Sequence, residues 1–220
     1  MPQETEKYRS TAALNIREAP NTSSKALGKL GVDDVIEKLG ESEDGKWVRF
    51  LFNGLEAWSS KKYLAKVPYI PLPGEDFPWM AIAEAEKGVS QIEGSAHNPR
   101  ILEYLGATTN LGKSDVSRDE TSWCSAFVNW CLKQAGYART GNAAARSWLG
   151  WGQAIDTPRR GCIVVFKRGE KFGHVGFFLE ETGTHIKVLG GNQENPETGK
   201  SEVSEKYFPK SALLGYRIPK

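Results

Sequence analysis

Apolar and polar residues alternate in short runs through the first third of the chain: Ala13-Leu14-Asn15-Ile16-Arg17, Asp34-Val35-Ile36-Glu37-Lys38-Leu39 and Trp47-Val48-Arg49-Phe50-Leu51-Phe52. A period of two places alternate side chains on one face of an extended strand, so these runs predict a small all-β unit. Asn53-Gly54 stands between Phe52 and Leu55. Both positions tolerate positive φ, which predicts a two-residue hairpin turn there. Pro68, Pro71, Pro73 and Pro78 then follow in close succession. Proline density of this kind blocks helix and central strand alike and predicts a semi-rigid linker.

Beyond the linker the period lengthens. Trp79 to Lys87 and Pro99 to Leu105 read as helices, with Gly88 and Gly106 as stops and Pro99 at a helix start. From Cys124 to Ala135 the residues Cys124, Phe127, Cys131 and Ala135 share one stripe, Gly136 stops the run, and Thr121 or Ser122 is expected to cap it. The remainder is strand-like: Cys162 to Phe166, His174 to Leu179 and His185 to Leu189. Helices first and strands later predict an α+β domain. A turn at Glu181-Thr182-Gly183-Thr184 would pair Glu180 with His185, set Gly191 opposite His174, and leave Asn192 one residue away.

Composition narrows the functional classes. The 220 residues contain no run of about twenty apolar residues, the length that a bilayer core requires, so no membrane span is expected. The net charge of +2 is spread without a Lys/Arg block, which argues against a nucleic-acid surface. Residues 1–7 lack the apolar core of a secretion signal, so either the sequence is trimmed there or export uses another route, and the protein is expected to be secreted or delivered without a visible signal peptide. Cys124 and Cys131 would lie about 10 Å apart along one helix, beyond disulfide reach. Their spacing does not suit a structural zinc site either, and neither metal nor cofactor is expected.

The candidate chemistry gathers at three positions. A cysteine attacks as thiolate, and Cys124 falls in a first helical turn, where free N–H groups favour an anion. His174 opens an apolar strand after Gly173 and supplies a candidate base. A polar side chain at Asn192 could hold the imidazole and fix its tautomer. Cys131 and Cys162 read as small core hydrophobes, and His97 and His185 as structural residues. Trp148 and Trp151 suit either a groove wall or the core.

Three segments together resemble the CHAP family of amidohydrolases and peptidases, within the papain-like NlpC superfamily of wall-degrading enzymes. They are Trp123-Cys124-Ser125-Ala126-Phe127-Val128-Asn129-Trp130, Gly173-His174-Val175-Gly176 and Gly190-Gly191-Asn192-Gln193. The resemblance runs from about Phe77 to the C-terminus and includes Gly94-Ser95-Ala96-His97-Asn98-Pro99-Arg100-Ile101. It implies Cys124 as nucleophile, His174 as base and then acid, and Asn192 as the residue orienting His174. Two departures stand out: Gly190 occupies a position that is acidic in many relatives, and Cys162 one where many have Asp.

Leu14-Asn15-Ile16-Arg17-Glu18-Ala19-Pro20, Gly45-Lys46-Trp47-Val48-Arg49, Gly54-Leu55-Glu56-Ala57-Trp58 and Ser59-Ser60-Lys61-Lys62-Tyr63-Leu64 resemble a bacterial SH3-like domain, whose Trp47, Trp58 and Tyr63 read as core rather than ligand contacts. The fold class implied is an N-terminal all-β SH3-like barrel (8–67), a Pro-rich linker (68–78) and a C-terminal α+β papain-like CHAP/NlpC-type domain (79–220) with helices followed by an antiparallel sheet. The function implied is peptidoglycan hydrolysis at the cell wall or periplasm by an amidase or endopeptidase. Wall-polymer binding by the SH3-like domain accompanies it, and an immunity protein is a partner only for an injected effector. A non-catalytic wall binder with a decayed papain-like domain, and a toxin acting on a protein substrate, remain alternatives.

Overall fold

The structure is a computed structural model and describes residues 6–67 and 74–220. Residues 68–73 of the expected linker lie outside the described residues. The chain divides into two compact units, 1–69 and 70–220.

The first unit is built of short strands: β1 (Lys7–Ser10), β2 (Leu14–Arg17), β3 (Ala26–Leu30), β4 (Val35–Glu37), β5 (Gly40–Glu41), β6 (Trp47–Phe52), β7 (Leu55–Ser60) and β8 (Leu64–Lys66). They form a three-stranded sheet, β4-β1-β8, and a five-stranded sheet, β3-β2-β7-β6-β5. Asn53 and Gly54 have φ of 52° and 79°, and Phe52 pairs with Leu55, which is the tight hairpin that the dipeptide predicts. The alternation directs Ile16, Val48, Phe50 and Ala57 into one core with Tyr8, Leu30 and Ile36. Trp47 is buried, Trp58 half-buried beneath the Arg49 guanidinium, and Tyr63 exposed.

In the second unit α1 (Trp79–Ala85), α2 (Pro99–Leu105) and α3 (Cys124–Gln134) precede β9 (Gln153–Ile155), β10 (Ile163–Arg168), β11 (Phe172–Glu181), β12 (His185–Glu194), β13 (Ser201–Pro209) and β14 (Leu213–Ile218). One antiparallel sheet results, in the order β13-β12-β11-β10-β14-β9. α3 is less amphipathic than its stripe suggests, because every residue from Cys124 to Leu132 is buried. Neither Thr121 nor Ser122 caps it. Trp123 holds the N-cap position without a side-chain bond, and Ser122 is used elsewhere.

The register of β11 and β12 departs from the simple count. Glu180 pairs with Lys187 rather than His185, and Phe178 with Val188, so Leu179 is an extra residue in β11. Pairing of these two strands stops at Phe177 and Leu189, and His174 has only β10 beside it, opposite Phe166. Across β12 and β13, Gly190 pairs with Ser204 and Gln193 with Glu202, so Gly191 and Asn192 face Val203 alone. This is a bulge, and it puts Asn192 at φ 56°. A residue count along one strand foresees neither irregularity.

The bulge lies against the start of α3. A Cβ on Gly191 would collide with Trp123 Cζ3 and come 2.8 Å from Phe127 Cβ, both on buried residues that cannot give way. Gly191→Ala should therefore destabilise the second unit by about 1–3 kcal/mol. Urea unfolding would register this as a lower midpoint, and a variant as stable as the parent would contradict the close approach.

Candidate active site

Cys124 is the first residue of α3 and is 3% exposed. The backbone N–H of Val175, the residue that follows His174, acts on its sulfur in favour of the thiolate, as do the Ser125 N–H and the Ser122 hydroxyl. The helix start and the head of β11 therefore meet at the thiol, which makes Cys124 and His174 neighbours. Ser125, next along α3, is held by its Oγ bond to the Asn142 carbonyl at 2.6 Å and by the Trp148 indole N–H at 2.9 Å. Asn129, one turn on, takes the Gly141 N–H at 2.7 Å and donates to the Ser125 carbonyl at 2.9 Å. These buried polar contacts fix the helix end that presents the thiol.

His174 is wholly buried on the sheet face that also carries Phe166, its cross-strand partner. Both rings stack on Phe208 of β13, at 4.7 and 4.9 Å between centroids. Nε2 lies 3.1 Å from Gln193 Oε1, while Nδ1 is buried with no hydrogen-bond partner among the described residues. Asn192 makes no hydrogen bond to this imidazole. Its Nδ2 donates to Ser122 Oγ at 3.1 Å, so it reaches the site through the residue that touches the thiol. Of the three sequence candidates, Cys124 and His174 are brought together, and Asn192 joins the cysteine side. Sequence reasoning gave neither Gln193 nor Ser122 a place in the site, and offered Ser122 only as a helix cap. Gln193 stands beside Asn192 in the quoted Gly-Gly-Asn-Gln run, but one residue of register decides which of the two faces the imidazole.

Burial favours the neutral form of both groups. Burial pushes the Cys124 thiol up, against the pull of the Val175 N–H, the Arg168 charge, the Ser125 N–H and Ser122. The helix start by itself suggested an easily formed thiolate, but desolvation outweighs it. Burial likewise drives His174 down to about 3, with Arg168 and Lys206 adding to the shift and Gln193 opposing it. Arg168 sits on β10 opposite Phe172, two residues from the Phe166–His174 pair and on the same sheet face. Its side chain is exposed and forms no ion pair among the described residues, and Phe172 is 77% exposed. A free cation and a bare aromatic ring thus extend the face that carries His174.

The other candidates separate cleanly. Cys131 and Cys162 are wholly buried, and burial raises both thiols, Cys162 to about 12. Trp148 is core, and Trp151 packs edge-on against it with its indole N–H on the Ala138 carbonyl. His185 is exposed beside Thr184. His97, Asp119 and Glu120 bring one ligand atom each within 4.8 Å of one another. Asp119 is already engaged there, Oδ2 by the Ile92 and Asn98 amides at 3.1 and 2.9 Å and Oδ1 by His97 at 3.2 Å. It anchors the segment ahead of α2.

Residues 12–65 match the family model of the bacterial SH3 domain, and residues 116–192 match that of the CHAP domain. The chain pairs a bacterial SH3 domain with a CHAP domain. The CHAP match spans Cys124, His174 and Asn192 and ends at the bulge. No curated protein matches the chain. Among solved structures, NlpC1 from Trichomonas vaginalis is 14% identical with a TM-score of 0.36, over 97% of this chain and 69% of its own. An NlpC/P60 family protein from Bacillus cereus is 15% identical with a TM-score of 0.36, over 97% and 63%. A protein from Staphylococcus aureus described as similar to lipoprotein, NLP/P60 family, is 20% identical with a TM-score of 0.38, over 76% and 52%. Among the described residues, no helix is long and apolar enough to cross a membrane.

The buried imidazole of the CHAP domain has a consequence for stability. His174 titrates at about 3 when folded and at 6.5 ordinarily, so it binds its proton on unfolding. Its contribution is complete above pH 6.5 and is lost as pH falls toward 3, at up to about 1.4 kcal/mol per pH unit. Thermal unfolding between pH 7 and 4 should show the midpoint falling with acid, and His174→Gln should flatten that slope. An unchanged slope would count against a neutral, buried His174.

Proposed function

We propose that the C-terminal unit is a papain-like cysteine hydrolase that cuts an amide or peptide bond in the stem peptide or cross-link of peptidoglycan, at the wall or in the periplasm. The observation that carries this reading is a Cys124 thiol at the helix start under the influence of the Val175 N–H, next to a His174 whose buried Nδ1 has no hydrogen-bond partner among the described residues. In domain terms, 79–220 is the hydrolase, 68–78 the linker and 8–67 the wall-binding module. Within that module, Arg17, Trp47 and Tyr63 line a cavity of about 330 Å³.

The chemistry follows from the neutral resting pair. With substrate in place, His174 takes the thiol proton as the Cys124 sulfur bonds to the carbonyl carbon. The backbone N–H of Cys124, at the helix start, faces the developing oxyanion. The carbon–nitrogen bond breaks, the imidazolium gives its proton to the leaving amine, and a thioester remains. Water then attacks as His174 accepts its proton, releasing the carboxylic acid and the thiol. Asn192 serves from the cysteine side through Ser122.

Cys124→Ala should abolish turnover with the fold intact. Mass spectrometry of sacculi and purified muropeptides treated with each protein is the check. Fragments from the parent alone would support the reading and name the bond, and fragments from Cys124→Ala as well, or from neither protein, would sink it.

A further inference from the structure

We infer that Gln193 is the residue that positions His174, occupying room that Gly190 leaves open beside the imidazole. This rests on the hydrolase reading only for its meaning, since the geometry stands without it. Gln193 is wholly buried, and its Oε1 lies 3.1 Å from His174 Nε2. Its amide cannot turn over freely, because Nε2 donates to the Ser204 carbonyl and lies 3.4 Å from Ser204 Oγ. The oxygen must therefore face the ring. An oxygen facing Nε2 only accepts, so Nε2 carries the proton and Nδ1 keeps its lone pair. That is the tautomer in which the buried, unengaged nitrogen is the base.

Gly190 makes the arrangement fit. A Cβ there would lie 3.2 Å from Gln193 Oε1 and 3.4 Å from His174 Nε2, so a longer side chain would compete for the same space. Phe208 closes one face of the ring, stacked at 21°. Asn192 is turned to Ser122 by the bulge and is not available to the imidazole. The groups acting electrostatically on His174 are Arg168, Lys206 and the neutral Gln193 amide. An amide orients the ring without paying for an imidazolium, which keeps the pair uncharged until substrate arrives.

The test reads the ring directly. The chain has three histidines, so ¹⁵N spectra of the full chain, with His97→Gln and His185→Gln for assignment, isolate His174. We expect a protonated Nε2 and a bare Nδ1 in the parent. Gln193→Leu should give a mixture of tautomers and reduce sacculus lysis by about 100-fold, the lower range of what a positioned base supplies. Gln193→Glu, which preserves shape should the leucine variant fail to fold, should retain the tautomer and raise the His174 titration by about one pH unit or more. Asn192→Ala should leave the His174 signals unchanged. A parental tautomer in Gln193→Leu, no upward titration in Gln193→Glu, or a tautomer change in Asn192→Ala would each overturn the assignment. Expected tautomers with no lysis by any protein would leave Gln193 in its role and remove the hydrolase reading instead.

Discussion

The packing of α3 against the sheet, over β11 and β12, is the event on which the second unit depends. A helix buried from Cys124 to Leu132 has no solvent face, so its backbone ends and polar side chains must find partners within the protein. Ser125 and Asn129 meet that demand through the 140–142 loop and Trp148, and the thiol lies under the influence of the Val175 N–H. The Val175 N–H is available because β11 and β12 cease to pair at Phe177 and Leu189. A chemically useful juxtaposition thus arises from the way a fully buried helix end satisfies its hydrogen bonds.

The same burial governs the charge state. Removing a thiol and an imidazole from water favours their neutral forms, and Arg168 reinforces this at His174 while opposing it at Cys124. Around the pair the protein supplies uncharged partners, Gln193 to the ring and Ser122 to the sulfur. Their role is orientation. Arg168, which forms no ion pair among the described residues, lies exposed at the outer end of the same face as Phe172.

Most of the architecture was legible in the chain because its signals are local. The alternation in β2, β4 and β6, the Asn53-Gly54 turn, and the starts of α1, α2 and α3 each follow from a few adjacent residues. β13 and β14 were not foreseen. β13 mixes charged and apolar residues in Ser-Glu-Val-Ser-Glu-Lys-Tyr-Phe-Pro, and its pairing with the long β12 is what makes it a strand.

Cys124 and His174 as chemical candidates were fixed by residue type and position: a cysteine opening a helix and a histidine opening a strand among only three histidines. Which neighbour serves which of them was decided by tertiary structure. The extra residue at Leu179 and the bulge at Gly191-Asn192 turn Gln193 toward the imidazole and Asn192 toward Ser122. Side chains alternate faces along a strand, so a single inserted residue exchanges their roles. At the bulge Gly191 runs close to Trp123 and Phe127, segments more than sixty residues away along the chain, and residue counting along one strand does not contain such an approach.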